Sequence, residues 1–145
     1  MSTEENKRLI RRFYQEIDEG NVEAMADLVA ENYQDHSPPA FPGLAPGREG
    51  LKQVFRLFSE AAPDGTHTIE DQVAEGDKVA TRLTAHGVHE GDLPGIPATG
   101  KPVTMTATVI HRIEKGKVVE KWSDRDLFGF LQQLGVIPTP GETSG

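Results

Sequence analysis

His111, Glu120, Trp122, Asp124 and Asp126 lie close together in the segment IHRIEKGKVVEKWSDRDLFGFLQQLG, Ile110 to Gly135. A carboxylate beside an indole in an apolar pocket is desolvated, which raises its pKa and makes it a better base. Two carboxylates on one wall repel, so one stays protonated as an acid while the other acts as a base. A histidine facing them can orient or polarise a carbonyl. The residue types therefore point to proton transfer. Lys115-Gly116 is a two-residue turn signal between alternating runs and predicts a β-hairpin. If Ile113 pairs with Val118, His111 faces Glu120. Alternation then puts Val109, His111, Ile113, Val118, Glu120, Trp122, Asp124 and, if the strand runs on, Asp126 on one face. Ile110, Arg112, Val119, Lys121 and Ser123 take the other. The mixed face reads as a pocket lining. Each acid also has a plainer use: Asp126 can cap a helix entered by Leu127-Phe128, and Asp124 can pair with Arg112 or Arg125.

The remaining histidines are scattered. His36 follows a helix in an Asp-His-Ser-Pro loop and could reach a cavity from the opposite wall. His86 and His89 share no strand face, and His89 leads into the loop GDLPGIPATGKP, where it could guard a mouth. No His-Glu-x-x-His helix or compact ligand cluster suggests a metal site. No Gly-rich loop opens a helix to cradle phosphate, and there is no Gly-x-Ser-x-Gly elbow. The chemistry left is cofactor-free acid/base work or plain ligand binding.

These residues need a scaffold. Ser2-x-x-Glu5 has the form of a capping box, and Leu9, Ile10, Phe13, Tyr14 and Ile17 follow at helical spacing toward Gly20. Asn21 then reads as the N-cap of a shorter helix burying Val22, Met25, Leu28 and Val29. After the Pro/Gly-dense loop Pro38 to Gly47, Arg48 to Ala61 returns to helical period. From Thr66 the pattern becomes strands: two runs around Glu75-Gly76-Asp77, then Val103 to Ile113 and Lys117 to about Asp126. A last helix, Phe128 to Leu134, ends at Gly135 before a Pro/Gly tail. Three helices followed by four antiparallel strands predict a single α+β domain over residues 1–145, with its helices on one side of a strongly curved sheet.

Composition limits the partners. The 145 residues are 36% hydrophobic and 26% charged, enough for a real core. A net charge of −8 disfavours nucleic acid and anionic membranes. No apolar run approaches the ~20 residues that span a bilayer. The start, MSTEENKRL, lacks the apolar segment of a secretory signal, and the absence of cysteine excludes disulfides, so the expected location is the cytoplasm.

Several elements together resemble the SnoaL-like polyketide cyclases. They are the N-terminal helix pair, Tyr33-Gln-Asp-His-Ser-Pro, Gly87-Val-His89-Glu-Gly91, Pro97-Ala-Thr-Gly100-Lys101, and Glu120-Lys-Trp122-x-x-x-Asp126 with Gln133-Leu-Gly135. The resemblance runs from about Asn6 to Pro138. It implies a nuclear-transport-factor-2-like cone, a barrel-like bent antiparallel sheet wrapped by N-terminal helices around an internal pocket, often homodimeric through the outer sheet face. It also implies intramolecular aldol closure of a hydrophobic or aromatic carbonyl substrate without metal or cofactor. The motif carries the proton-abstracting role onto Asp126, with Asp124 as rival and His111 assisting. His36, Trp122, Tyr14, Tyr33, His89 and Glu120 complete the expected substrate-binding set. Related chemistries on the same fold leave a ketosteroid-isomerase-like enzyme, an epoxide hydrolase and a non-catalytic binding protein as alternatives. Asp124-Arg125-Asp126 is no epoxide-hydrolase triad, because Arg125 should point away from both carboxylates.

Overall fold

Ser2 starts the first helix as its spacing predicts. Its Oγ accepts the Glu5 N–H at 3.1 Å, and the Glu5 carboxylate accepts the Ser2 N–H at 3.2 Å. This helix, α1 (Thr3–Asp18), buries Asn6, Ile10, Phe13 and Tyr14 on one face. The computed structural model describes residues 1–39, 41–138 and 140–141; Thr139 and residues 142–145 of the expected tail lie outside the described residues, as does Ala40 in the Pro-rich loop.

The second helix is shorter than expected. α2 covers only Val22–Ala26, and Asn21 precedes it without a side-chain capping bond. Val29 belongs instead to a strand, β1 (Val29–Asp35). The pattern misled because Val29 and Tyr33, both buried, are spaced as on a helix, while Glu31 and Asn32 between them are poor strand formers. After α3 (Gly47–Ala61) come β2 (Thr66–Glu75), β3 (Lys78–Val88), β4 (Pro102–Glu114) and β5 (Lys117–Arg125), then α4 (Leu127–Gln133).

The five strands form one curved, unclosed sheet in the order β1-β5-β4-β3-β2. β2 to β5 run antiparallel as expected, and β1 adds a parallel edge beside β5. Both hairpin turns fall where the sequence places them. Lys115 and Gly116 take φ of 53° and 72°, the left-handed pair that a tight hairpin demands. α1 lies across the concave side, and the core runs through Ile10, Phe13, Met25, Val29, Val79, Leu83, Val109, Ile113 and Val118. Each fully buried aliphatic side chain contributes about 1.5–3 kcal/mol through removal from water. Among the described residues, no helix is long and apolar enough to cross a membrane.

One irregularity decides which side chains face that core. Ile113 pairs with Val118 as expected, but Arg112 pairs with Glu120, leaving Val119 as an extra residue in β5. This β-bulge reverses the alternation for the rest of the strand. His111 therefore lies opposite Lys121, Ile110 opposite Trp122, and Thr108 opposite Asp124. The expected face carrying His111 together with Glu120, Trp122 and Asp124 does not form.

Candidate functional site

The concave face brings together His111 from β4, Lys121, Ser123 and Arg125 from β5, Tyr33 and Asp35 from β1, and Tyr14 from α1. Register fixes this grouping: Val79 and Lys121 flank His111 on either side, and Asp35 pairs with Lys121. His111 is fully buried, its ring 5.5 Å from Phe13 and 6.1 Å from Tyr14. Among the described residues neither ring nitrogen has a hydrogen-bond partner, and the same holds for the Tyr33 and Ser123 hydroxyls. Burial, reinforced by the Lys121 charge, pushes the His111 pKa down to about 3, so the imidazole is neutral at ordinary pH.

Charge on this face is held by few contacts. The Lys121 ammonium lies 3.6 Å from Asp35 Oδ2, and burial lowers its pKa against the pull of that carboxylate. The Ser37 N–H donates to Asp35 Oδ1 at 2.8 Å, and Arg125 donates to the Ser37 carbonyl at 3.1 Å. Burial raises the pKa of both Tyr14 and Tyr33, while the nearby Arg125 charge opposes the rise. The result is a neutral donor-acceptor ring, two protonated phenols, a guanidinium and the Lys121–Asp35 pair on one concave wall. Such a wall can hold a carbonyl oxygen and stabilise charge developing on it.

The convex face holds a second grouping. His36 stacks on Trp122, with centroids 4.7 Å apart and planes 7° from parallel. Its Nε2 lies 2.7 Å from Glu120, whose other oxygen accepts from Arg112 Nε at 2.5 Å. These two hydrogen bonds hold the Glu120 carboxyl below its usual range, His36 first and Arg112 second. Beside them an open groove of about 370 Å³ runs between β1 and the β4–β5 hairpin, lined by Asn32, Gln34, Arg112, Lys117 and Glu120 among others. Three of the expected residues, His36, Glu120 and Trp122, thus meet one another on the outside of the sheet.

A family model for SnoaL-like polyketide cyclases matches residues 8–134. The chain belongs to the SnoaL-like polyketide cyclase family. The aklanonic acid methyl ester cyclase DnrD of Streptomyces peucetius is 28% identical over 134 residues, covering 91% of this chain and 92% of DnrD. Among solved structures, TsrD of Streptomyces laurentii superposes with a TM-score of 0.84 at 28% identity, covering 94% of this chain and 99% of TsrD. IdmH of Streptomyces antibioticus, for which a polyketide cyclase activity has been put forward, gives 0.78 at 33% identity over 90% of this chain and 98% of its own.

The carboxylates of the SnoaL-like motif stand apart from the inner wall. Asp124 is exposed on the convex side. Asp126 follows the end of β5, is exposed, and accepts the Gly129 N–H at 3.0 Å as the cap of α4. Arg125, between them, turns inward opposite Ala107, as alternation requires. His89 is buried just after β3, with Nδ1 3.0 Å from Thr99 Oγ1 and, among the described residues, no partner for Nε2. Its backbone ties down the Gly/Pro loop through Lys101 and Gly100. Asp35, Lys121, Ser123 and Arg125 were not expected inside. Only the bulge puts the β5 residues there, and no local signal marks a bulge at two adjacent valines.

Proposed function

We propose that this SnoaL-like chain is a cyclase-type enzyme, acting on a small hydrophobic, polyketide-like carbonyl compound by cofactor-free acid/base catalysis. The observation that carries the reading is His111: a fully buried, neutral imidazole whose two nitrogens are unpartnered among the described residues, on the same concave face as the likewise unpartnered Tyr33 hydroxyl. Leaving such groups unsatisfied costs about 1–3 kcal/mol each, and sites that tolerate this are commonly reserved for a ligand. In the ring closure, a carboxylate takes the proton α to one carbonyl. The resulting enolate carbon attacks a second carbonyl of the same molecule, and the new alkoxide receives the proton. His111 and Tyr33 donate hydrogen bonds to the oxygen on which charge grows. The motif resemblance supports Asp126 as the base, with Asp124 as its rival; position on the inner wall favours Asp35. Homodimerisation through the convex face, where Ile110 is exposed, and a cytoplasmic location belong to the same proposal.

The test uses aklanonic acid methyl ester, the compound named in the curated relatives. Wild type, Asp126→Asn and Asp35→Asn are compared for conversion to a cyclised isomer by chromatography. Loss of the base should slow turnover on the order of 10²-fold or more. Wild-type rates in both variants and in Asp124→Asn would remove the carboxylate mechanism. One observation favours a second reading, ligand binding without catalysis: the inward positions of β5 are Lys121, Ser123 and Arg125, none of them a carboxylate. Saturable binding in equilibrium dialysis with no isomer formed by wild type would select it.

A further inference from the structure

The seam between α1 and the edge strand β2 holds another histidine–carboxylate pair, which the inner-wall chemistry does not use. Asp18, at the C-terminal end of α1, accepts from His67 twice: the ring Nδ1 lies 2.6 Å from Oδ1, and the His67 backbone N–H donates to Oδ2 at 2.9 Å. Both carboxylate oxygens are thus committed to one residue, 49 positions away in sequence. The carboxylate fixes the neutral ring as its Nδ1–H tautomer, which leaves Nε2 with the lone pair. The side chains of His67 and Asp18 keep 24% and 21% of their surface open to solvent. The pair lines a groove of about 400 Å³ together with Arg11, Tyr14, Gln15, Glu19 and Ile69.

The groove has the parts of an acid/base site. A carboxylate that orients a histidine leaves the far nitrogen ready to take a proton, the logic of the base half of a hydrolase triad. Tyr14 and Ile69 form apolar wall, and the Tyr14 ring lies 5.1 Å from the His67 ring, with planes at 43°. Arg11 also lines the groove, its Nε donating to Gln72 Oε1 at 2.7 Å, and adds a cation to the lining. Tyr14 also neighbours His111 at 6.1 Å, so its ring separates this groove from the inner wall. The residues lining the groove include no serine, threonine, cysteine or lysine, and the oriented imidazole suits proton transfer.

We propose that this groove is a second proton-transfer site, in which His67, oriented by Asp18, enolises a small planar ketone lying against Tyr14. The C–H bond α to the carbonyl breaks, its electron pair passes into the enolate, and the proton goes to Nε2. Return of a proton from the same nitrogen restores the ketone, with hydrogen drawn from solvent. Ring closure is not required, so the groove can work in a chain that fails to cyclise anything, and a cyclising chain can lack this activity.

The experiment follows deuterium incorporation into 2-tetralone in D₂O by proton NMR, with the full chain at catalytic concentration. Wild type should exchange the α-protons faster than buffer alone, and His67→Gln should lower the protein-dependent rate on the order of 10²-fold. Nitrogen-15 NMR of the wild-type ring should show Nδ1 protonated. In Asp18→Asn the amide can donate to Nδ1, moving the ring proton to Nε2 and removing the base while the fold is kept. No exchange by wild type, or a wild-type rate in His67→Gln, overturns the assignment, as does an unchanged tautomer with full exchange in Asp18→Asn. If His67→Gln fails to fold, 2-naphthol added to wild type decides: a shifted His67 Nε2 resonance supports the site, and an unmoved one refutes it.

Discussion

Acid should destabilise this protein through His111 in a way that one substitution isolates. The buried ring has a pKa pushed down to about 3, first by burial and second by the Lys121 charge. In the unfolded chain the ring returns to the ordinary histidine value of about 6.5. The unfolded state therefore binds the extra proton across the window between these values, and stability falls as pH drops through it. At about pH 4.5, roughly two units below the ordinary value, the differential amounts to about 3 kcal/mol. Other groups titrate over the same range, so the quantity to measure is a difference between chains. Urea unfolding of wild type and His111→Leu, followed by circular dichroism at about pH 7 and about pH 4.5, gives four free energies. The gap between the chains should move by about 3 kcal/mol in favour of leucine on acidification. Near pH 7 the leucine chain should be no less stable than wild type, because it removes two buried nitrogens that have no partner among the described residues. A gap that stays constant between the two pH values would mean that the ring is hydrated or hydrogen-bonded, and the neutral-donor role proposed for it would fall too.

The cap on α4 offers a smaller and cleaner test. Asp126→Ala removes the acceptor for the Gly129 N–H and should cost about 1 kcal/mol, read as a lowered Tm, whereas Asp126→Asn keeps an acceptor and should stay near wild type. This contrast separates the structural use of Asp126 from any chemical one. Gly91 anchors the Gly/Pro loop by donating its N–H to the Ala61 carbonyl at 3.0 Å, and an added Cβ would run into the Glu60 carbonyl. Gly91→Ala should therefore lose about 2 kcal/mol or more in urea unfolding, and a variant of unchanged stability would show that the loop can lift off α3 freely.

Signals carried by neighbouring residues were legible in the sequence. The capping box at Ser2, the period of α1 and α3, both hairpin turns and the family motif each need only a short window of chain. The α+β class followed from their order. β1 was not legible, because its partner β5 lies nearly 90 residues away (Val29 pairs with Val118) and a parallel edge leaves no turn between the two strands. The Asp18–His67 pair was hidden for a related reason. Each residue reads alone as an ordinary polar side chain, and only the docking of α1 on β2 joins them.

The bulge at Val119 shows why the candidate site was harder to read than the fold. Two registers fit the sequence of β5 almost equally well on local grounds. In one, Glu120, Trp122 and Asp124 face inward; in the other, Lys121, Ser123 and Arg125 do. An amphipathic pattern would choose the first, since it buries the indole. The rest of the chain chooses the second. β1 brings Asp35 to within 3.6 Å of Lys121, the Ser37 carbonyl accepts from Arg125, and Ser37 Oγ accepts the Ser123 N–H at 3.1 Å. On the other side, His36 covers Trp122 and, with Arg112, hydrogen-bonds Glu120. One segment, Asp35 to Ser37, thus supplies partners on both faces of β5, and these partners offset the cost of turning a lysine and an arginine toward the core. The register belongs to the pair of strands rather than to either one. Where a single inserted residue exchanges the inward and outward sets, the chemistry of the wall depends on the strand that docks against it.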